Sequence, residues 1–143
     1  LRRGIDVGLG TDGAASNNRL DLFQEMRHAA LLAKVACGDP SLLTAHRALR
    51  MATIEGARAL GLGNKVGSIL PGKAADLLAV NLEDWIVHPC FDPASHLVYT
   101  AGRESVSHVW VAGRLRVSNK IPLDCDEHSL LSRANLWQNR VPN

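Results

Sequence analysis

Apolar and polar residues alternate with period two through Gly4-Ile5-Asp6-Val7-Gly8-Leu9-Gly10-Thr11-Asp12. Ile5, Val7 and Leu9 fall on one side and Asp6, Gly8, Gly10 and Asp12 on the other, which predicts a strand with one apolar face and one small or polar face. The small, polar run Gly13-Ala14-Ala15-Ser16-Asn17-Asn18 then reads as a loop. Beyond it the period changes. Leu22, Met26, Ala29, Ala33 and Cys37 recur at spacings of four and three, predicting a helix from Arg19 to Ala36 with its apolar stripe on one side. Asn17 or Asn18 is expected to cap its start, because an Asx side chain accepts a bond from a free first-turn amide. Gly38-Asp39-Pro40 is expected to end it. Two shorter helices follow, one from Thr44 to Met51 and one from Thr53 to the stop at Gly61-Leu62-Gly63.

The pattern turns to strands after Gly63. Pro71-Gly72 is a turn signal between a predicted strand at Val66 to Leu70 and another at Asp76 to Val80. Val106 to Val111 and Leu115 to Val117 flank Ala112-Gly113-Arg114 as a β-hairpin. A loop from Pro89 to Gly102 carries a short helix near Ala94 to Thr100, and a last amphipathic helix runs from Asp126 to about Asn139. The chain thus divides near residue 64: 1–63 is a βα unit with two further helices, of the α/β class, and 64–143 is mainly β with a terminal helix. Neither part buries both faces of its strands, since parallel strands sit in sheets covered by helices. The sequence begins at Leu1 rather than Met, and the missing partners are expected upstream.

Composition narrows the class. Of 143 residues, 46% are hydrophobic and 21% charged, which suits a globular chain. The net charge is only +2, Arg2-Arg3 is the densest basic cluster and aromatics make up 4%, so nucleic acid is not an expected partner. No apolar run approaches the ~20 residues that span a bilayer. Cys37, Cys90 and Cys125 are odd in number with no C-x-x-C pair, which fits neither a disulfide framework nor a zinc ribbon; a reducing cytoplasm is the expected location.

Asp12 carries the first candidate chemistry. It ends a predicted strand with Gly10 and Gly8 beneath it on the same face, leaving room for a metal or ligand, and strand C-termini open into the active-site mouth of an α/β barrel. The competing reading is that Asp12 only bonds the backbone amides of its loop.

Gly10-Thr11-Asp12-Gly13-Ala14-Ala15-Ser16-Asn17-Asn18, with Leu20, Phe23 and Glu25-Met26-Arg27, resembles the last barrel strand and loop of amidohydrolase-superfamily enzymes. The nearest branch is that of the 5-methylthioadenosine/S-adenosylhomocysteine deaminases and triazine chlorohydrolases. The likeness continues through Ala52 to Leu62, Val66 to Leu77, Asp92-Pro93, His96 to Tyr99 and Val109 to Arg114. It implies the C-terminal part of a metal-dependent (β/α)8 barrel hydrolase with a flanking composite β-sandwich, 1–63 supplying the barrel's last strand and helices and 64–143 the sandwich.

On this resemblance Asp12 is the metal ligand and the catalytic proton shuttle. One carboxylate oxygen would bind the cation while the other accepts a hydrogen bond from the attacking water, whose pKa a metal lowers towards ~7. The water would attack the ring carbon bearing the amino group, and the proton would pass to the departing ammonia. The implied cofactor is Zn2+, with iron or manganese also compatible with a mixed His/Asp site. The implied substrate is the adenine ring of 5'-methylthioadenosine, S-adenosylhomocysteine or adenosine; a homo-oligomer is common among such barrels. Ser16 either contacts substrate, as the family's loop does, or joins Asn17 in capping the helix. Gly13 resembles the deaminases, whereas the chlorohydrolases tend to carry a polar residue there.

The six histidines, His28, His46, His88, His96, His108 and His128, include no H-x-H pair. The family's other ligands and its catalytic glutamate are therefore expected outside this chain, and the chain alone is expected to be inactive, since catalytic zinc commonly takes three protein ligands. His28, His46, His108 and His128 are read as solvated, His96 as a helix anchor, Lys73 and Asp76 as parts of a surface turn, and Trp85, Trp110 and Trp137 as packing residues. Alternatives are a chlorohydrolase, a guanine or cytosine deaminase, another amidohydrolase, or a non-catalytic remnant that acts as an interaction module.

Overall fold

The computed structural model describes residues 4–140; Arg2-Arg3 lies outside them. Among the described residues there are five α-helices, two single-turn 3-10 helices and one four-stranded sheet. The first, α1 (Leu22–Cys37), is capped by Asp21, whose carboxylate accepts from the Phe23 and Gln24 amides. The cap is thus neither Asn17 nor Asn18, because Asn17 is spent inside the preceding loop. Gly38 ends the helix at φ 64°, a left-handed value that glycine reaches without penalty, and its neighbourhood bonds back to the Lys34 and Val35 carbonyls. The buried stripe is Phe23, Met26 and Ala30, turned slightly from the predicted one: Ala29 and Ala33 are half-buried and Cys37 is exposed.

Thr44 caps α2 (Ala45–Ala52) through a bond from the Arg47 amide, and the helix lies where the pattern places it. After Thr53 the chain turns into α3 (Ile54–Ala59). Asp92 caps α4 (Pro93–Tyr99), with proline in the first turn where its missing N–H costs nothing. Bonds from Ser95 and the first-turn amides hold the Asp92 carboxyl below the usual carboxylate range. Helices α1, α2 and α4 enclose a core of Phe23, Met26, Ala30, Leu43, Ala48, Met51 and Val98, with Val80 and Val106 at its edge, so the core draws on both sides of residue 64.

Two cations lace this core to its surroundings. Arg27 donates to the Val98 and Ala101 carbonyls at 3.2 and 2.8 Å, and Lys34 donates to the Leu42 and Leu43 carbonyls at 2.8 and 3.0 Å and to the Tyr99 hydroxyl. Both sit where helix and turn carbonyls would otherwise lack donors.

The sheet is antiparallel in the order β1 (Leu77–Val80), β2 (Val106–Val111), β3 (Arg114–Ser118) and β4 (Ile121–Pro122). The hairpin forms where the pattern placed it, on a two-residue turn with Ala112 at φ 49° and Gly113 at φ 76°. Two positive φ values match the right-handed twist of the strands. Alanine resists this geometry, and the Asp76 carboxylate, accepting from the Ala112 amide at 2.6 Å, helps to hold it. A second turn of the same kind, Asn119-Lys120, creates the unanticipated β4.

Two predicted strands are absent. Residues 4–12 pair with no other strand among the described residues; their one backbone bond outside the segment runs from the Leu9 amide to the Met51 carbonyl. Alternation creates a strand's faces, but a ladder needs a neighbour. Residues 66–70 likewise form bends and irregular chain, with Gly67 at φ 86° against α3. Helix α5 (Glu127–Gln138) forms as predicted, capped by Asp126, yet none of its residues is buried.

Glu55 is the one fully enclosed charge among the described residues, 1% exposed on α3. Its Oε1 accepts from Arg47 at 2.8 Å and Arg50 at 3.0 Å, while Oε2 is buried without a partner. Removing the carboxylate strands two guanidinium groups, but both are partly solvated, which limits the cost. Glu55→Ala is expected to lower the unfolding free energy by about 1–3 kcal/mol, measured by urea denaturation. A change no larger than that of an ordinary surface substitution, within about 0.5 kcal/mol, would contradict the clasp.

Candidate functional site

Asp12 follows the Leu9 tether by three residues and stands at φ 60°, in the left-handed region that Asp tolerates better than most residues. Its Oδ1 accepts from the Gly13 amide at 2.7 Å, and its backbone carbonyl accepts from the Thr11 hydroxyl at 3.1 Å. The second carboxylate oxygen takes no hydrogen bond among the described residues, and the side chain is exposed. Asp12 therefore bonds its own loop while keeping one oxygen for another partner.

The loop beyond it organises around Asn17. Its Oδ1 accepts from the Arg19 and Leu20 amides, both at 3.2 Å, and its Nδ2 donates to Glu25 at 2.8 Å. Ser16 turns inward to the same loop, with Oγ donating to the Gly13 carbonyl at 3.1 Å. Neither residue caps α1. Gly8 also has a different neighbour from the one expected: it lies against the backbone of Gly56 in α3, so the room it leaves is filled by protein. Gly10 and Gly13 have open space around them.

No group of three His, Cys, Asp or Glu side chains among the described residues could hold a metal ion. A carboxylate oxygen suits zinc or another divalent cation. Asp12 fits such an ion as one ligand, and the described residues do not complete its shell. Two clefts, of about 330 Å³ beside Arg19, Asp21 and His28 and about 740 Å³ beside Arg50, Arg58 and Ser68, do not include Asp12.

Other sequence candidates fall as follows. His28, His46 and His128 are exposed. His108 is half-buried rather than free in water, stacked on Trp110 at 5.7 Å with its Nδ1 near the Ser107 hydroxyl. His96 sits in α4 with Nδ1 buried and unpartnered among the described residues. Lys73 is half-buried and staples its turn by donating to the Gly63 and Val66 carbonyls, so it is more than a surface residue. Trp85 and Trp137 are largely exposed and pack on no core described here. Glu55 escaped sequence reading: its only signal was two arginines at spacings of eight and five, which also suit a solvated helix face.

Residues 1–116 match the Amidohydrolase family, so the chain belongs to that family of hydrolases. Among curated relatives, the 5-methylthioadenosine/S-adenosylhomocysteine deaminase of Teredinibacter turnerae is 43% identical over 140 residues, 98% of this chain and 32% of the relative. An adenosine deaminase from Xanthomonas campestris, solved with bound zinc, superposes with a TM-score of 0.94 at 44% identity, covering 97% of this chain and 32% of that one. Atrazine chlorohydrolase from Arthrobacter aurescens, complexed with zinc, gives 0.85 at 32% identity, over 94% and 30% of the two chains. The chain thus spans about a third of the length of the proteins it resembles. No helix among the described residues is long and apolar enough to cross a membrane.

Asn17 is expected to set the loop after Asp12. Asn17→Ala should speed amide hydrogen exchange at Arg19 and Leu20 while leaving the mid-helix amides of α1 protected. Unchanged exchange at both positions would show that the loop does not depend on this side chain.

Proposed function

We propose that this chain forms part of a zinc-dependent hydrolytic deaminase acting on the adenine ring of 5'-methylthioadenosine or S-adenosylhomocysteine. The observation that carries the reading is 43% identity, across 98% of the chain, to a relative of that name. In this reading 1–63 closes the barrel and 64–143 contributes to a composite sandwich with a terminal helix. Zinc is favoured as the cofactor because the deaminase and chlorohydrolase structures cited above contain it.

When bound, a divalent cation supplies the Lewis acidity that brings the pKa of water to about 7. Asp12 supplies one ligand oxygen to that ion. The Gly13 N–H on Oδ1 keeps the carboxylate from swinging freely. The unpaired oxygen would take a proton from the water that attacks the ring carbon and would return it to the departing amino group. One carboxylate can serve both tasks because Oδ1, which accepts from Gly13, keeps a further lone pair for a cation while the other oxygen is free for the proton. Ser16, on the loop that follows Asp12, is the residue assigned to contact the nucleoside. The remaining ligands and the catalytic glutamate come from residues beyond this chain. The three free cysteines suit a reducing cytoplasm.

A chlorohydrolase is the second reading, on the strength of the 0.85 superposition. The lower identity of that protein, 32% against 44% for the adenosine deaminase, and Gly13 after the aspartate both favour deamination.

The test is Asp12→Asn in the complete protein, assayed for zinc content and for ammonia release from 5'-methylthioadenosine, S-adenosylhomocysteine and adenosine. Turnover is expected to fall by about 10²–10⁴-fold, the range for losing a general acid–base group, with zinc content reduced. Unchanged zinc and unchanged turnover would refute the assignment of Asp12. Wild-type turnover of a chlorotriazine in preference to all three nucleosides would favour the second reading.

A further inference from the structure

Gly56 lies inside α3, where alanine would ordinarily make a better helix. The structure gives a reason for its small size. A Cβ placed on Gly56 would stand 2.9 Å from the Met51 carbonyl oxygen and 3.5 Å from Gly8 Cα. A Cβ placed on Gly8 would stand 2.8 Å from Gly56 Cα. Each position therefore excludes a side chain on account of backbone, which cannot swing aside as a flexible side chain can.

The Met51 oxygen has a second role. It accepts the Leu9 amide at 3.2 Å, the one backbone bond that ties residues 4–12 to the helices. Leu9 also packs at the edge of the helical core. The seat thus consists of two glycines in contact and a carbonyl beside them that fixes the next residue. Asp12 follows Leu9 by three residues, and no helix or strand intervenes. Its own carboxylate bonds only the adjacent Gly13 amide, which turns with it and cannot set its place relative to the helices. The adjoining Glu55, clasped by Arg47 and Arg50, fixes the α2–α3 junction from which both Met51 and Gly56 project.

We propose that Gly56, through its contact with Gly8 and the Met51 carbonyl, is a positioning residue that holds the Asp12 carboxylate in register for a divalent metal. This inference rests on the reading of Asp12 as a metal ligand. Adding one methyl group at Gly56 would press on the oxygen that anchors Leu9 and on the backbone of Gly8 at once. The segment would shift, and the ligand oxygen with it, although no atom of Gly56 approaches the metal.

The experiment is zinc titration of the complete apoprotein as wild type, Gly56→Ala and Asp12→Asn, well below the melting temperature, with the cobalt(II) absorption spectrum as a second readout. Gly56→Ala is expected to weaken zinc binding by about 10–100-fold, the range seen when groups supporting a metal ligand are lost, and to alter the cobalt bands while the far-UV circular dichroism is retained. If Asp12→Asn weakens zinc and Gly56→Ala leaves both affinity and spectrum as in wild type, the positioning role is wrong and the ligand reading stands, even if Gly56→Ala melts earlier. If Asp12→Asn binds zinc like wild type, both fall. Should Gly56→Ala not fold, hydrogen exchange of the wild type decides. A Leu9 amide slower than those of Gly10 and Thr11 supports the seat, and one exchanging as fast as theirs overturns it.

Discussion

The Asp12 segment is held to the helices by one backbone hydrogen bond, from the Leu9 amide to the Met51 carbonyl, and by a contact between two glycines that permits the approach. Met51 is buried at the end of α2, against the core formed with α1 and α4. Thr53 turns the chain from α2 into α3, its hydroxyl donating to the Leu49 carbonyl at 2.7 Å. Glu55 then draws Arg47 and Arg50 of the preceding helix together. A short helix that would be marginal by itself is fixed by the buried charge of Glu55 and by close backbone packing at the adjacent Gly56.

The same economy explains the large apolar surface. Leu31, Leu32 and Val35 of α1, Trp85 and Phe91 of the connecting loop, and Leu130, Leu131 and Trp137 of α5 are all largely exposed, Phe91 by 90%. Patches of this kind mark surfaces that meet other protein. The chain spans about a third of its relatives' length, and under the proposed function these faces pack on the remaining elements of the barrel and sandwich. Under the same proposal Asp12 is one ligand of a metal whose other ligands lie outside the described residues.

Local signals in the sequence were strong where a single side chain or turn decides the outcome. Thr44, Asp92 and Asp126 cap helices, Gly38 ends one, and Ala112-Gly113 closes the hairpin, each within a few residues of the element it controls. The cap of α1 was misassigned because Asn17, Asn18 and Asp21 are equivalent by composition; only the bond from Asn17 to Glu25 distinguishes them. Residues 4–12 alternate as a strand does, and 66–70 precede a Pro-Gly turn signal, but neither has a ladder partner among the described residues, and pairing is a property of the neighbour rather than of the segment. Asp12 was legible as a candidate from its position beside small residues and from family resemblance. The Gly8–Gly56 contact was not, since it joins positions 48 residues apart through atoms that every residue possesses.

Under the proposed function this docked segment delivers Asp12 to a metal shared with ligands outside the described residues. Diffraction from crystals of the complete protein, recorded at the zinc absorption edge, tests it most directly. The expected result is an anomalous peak with an Asp12 carboxylate oxygen at about 2.0–2.2 Å, the usual zinc–carboxylate distance, and the Leu9 amide still on the Met51 carbonyl. A zinc peak whose complete ligand shell excludes Asp12 would contradict it.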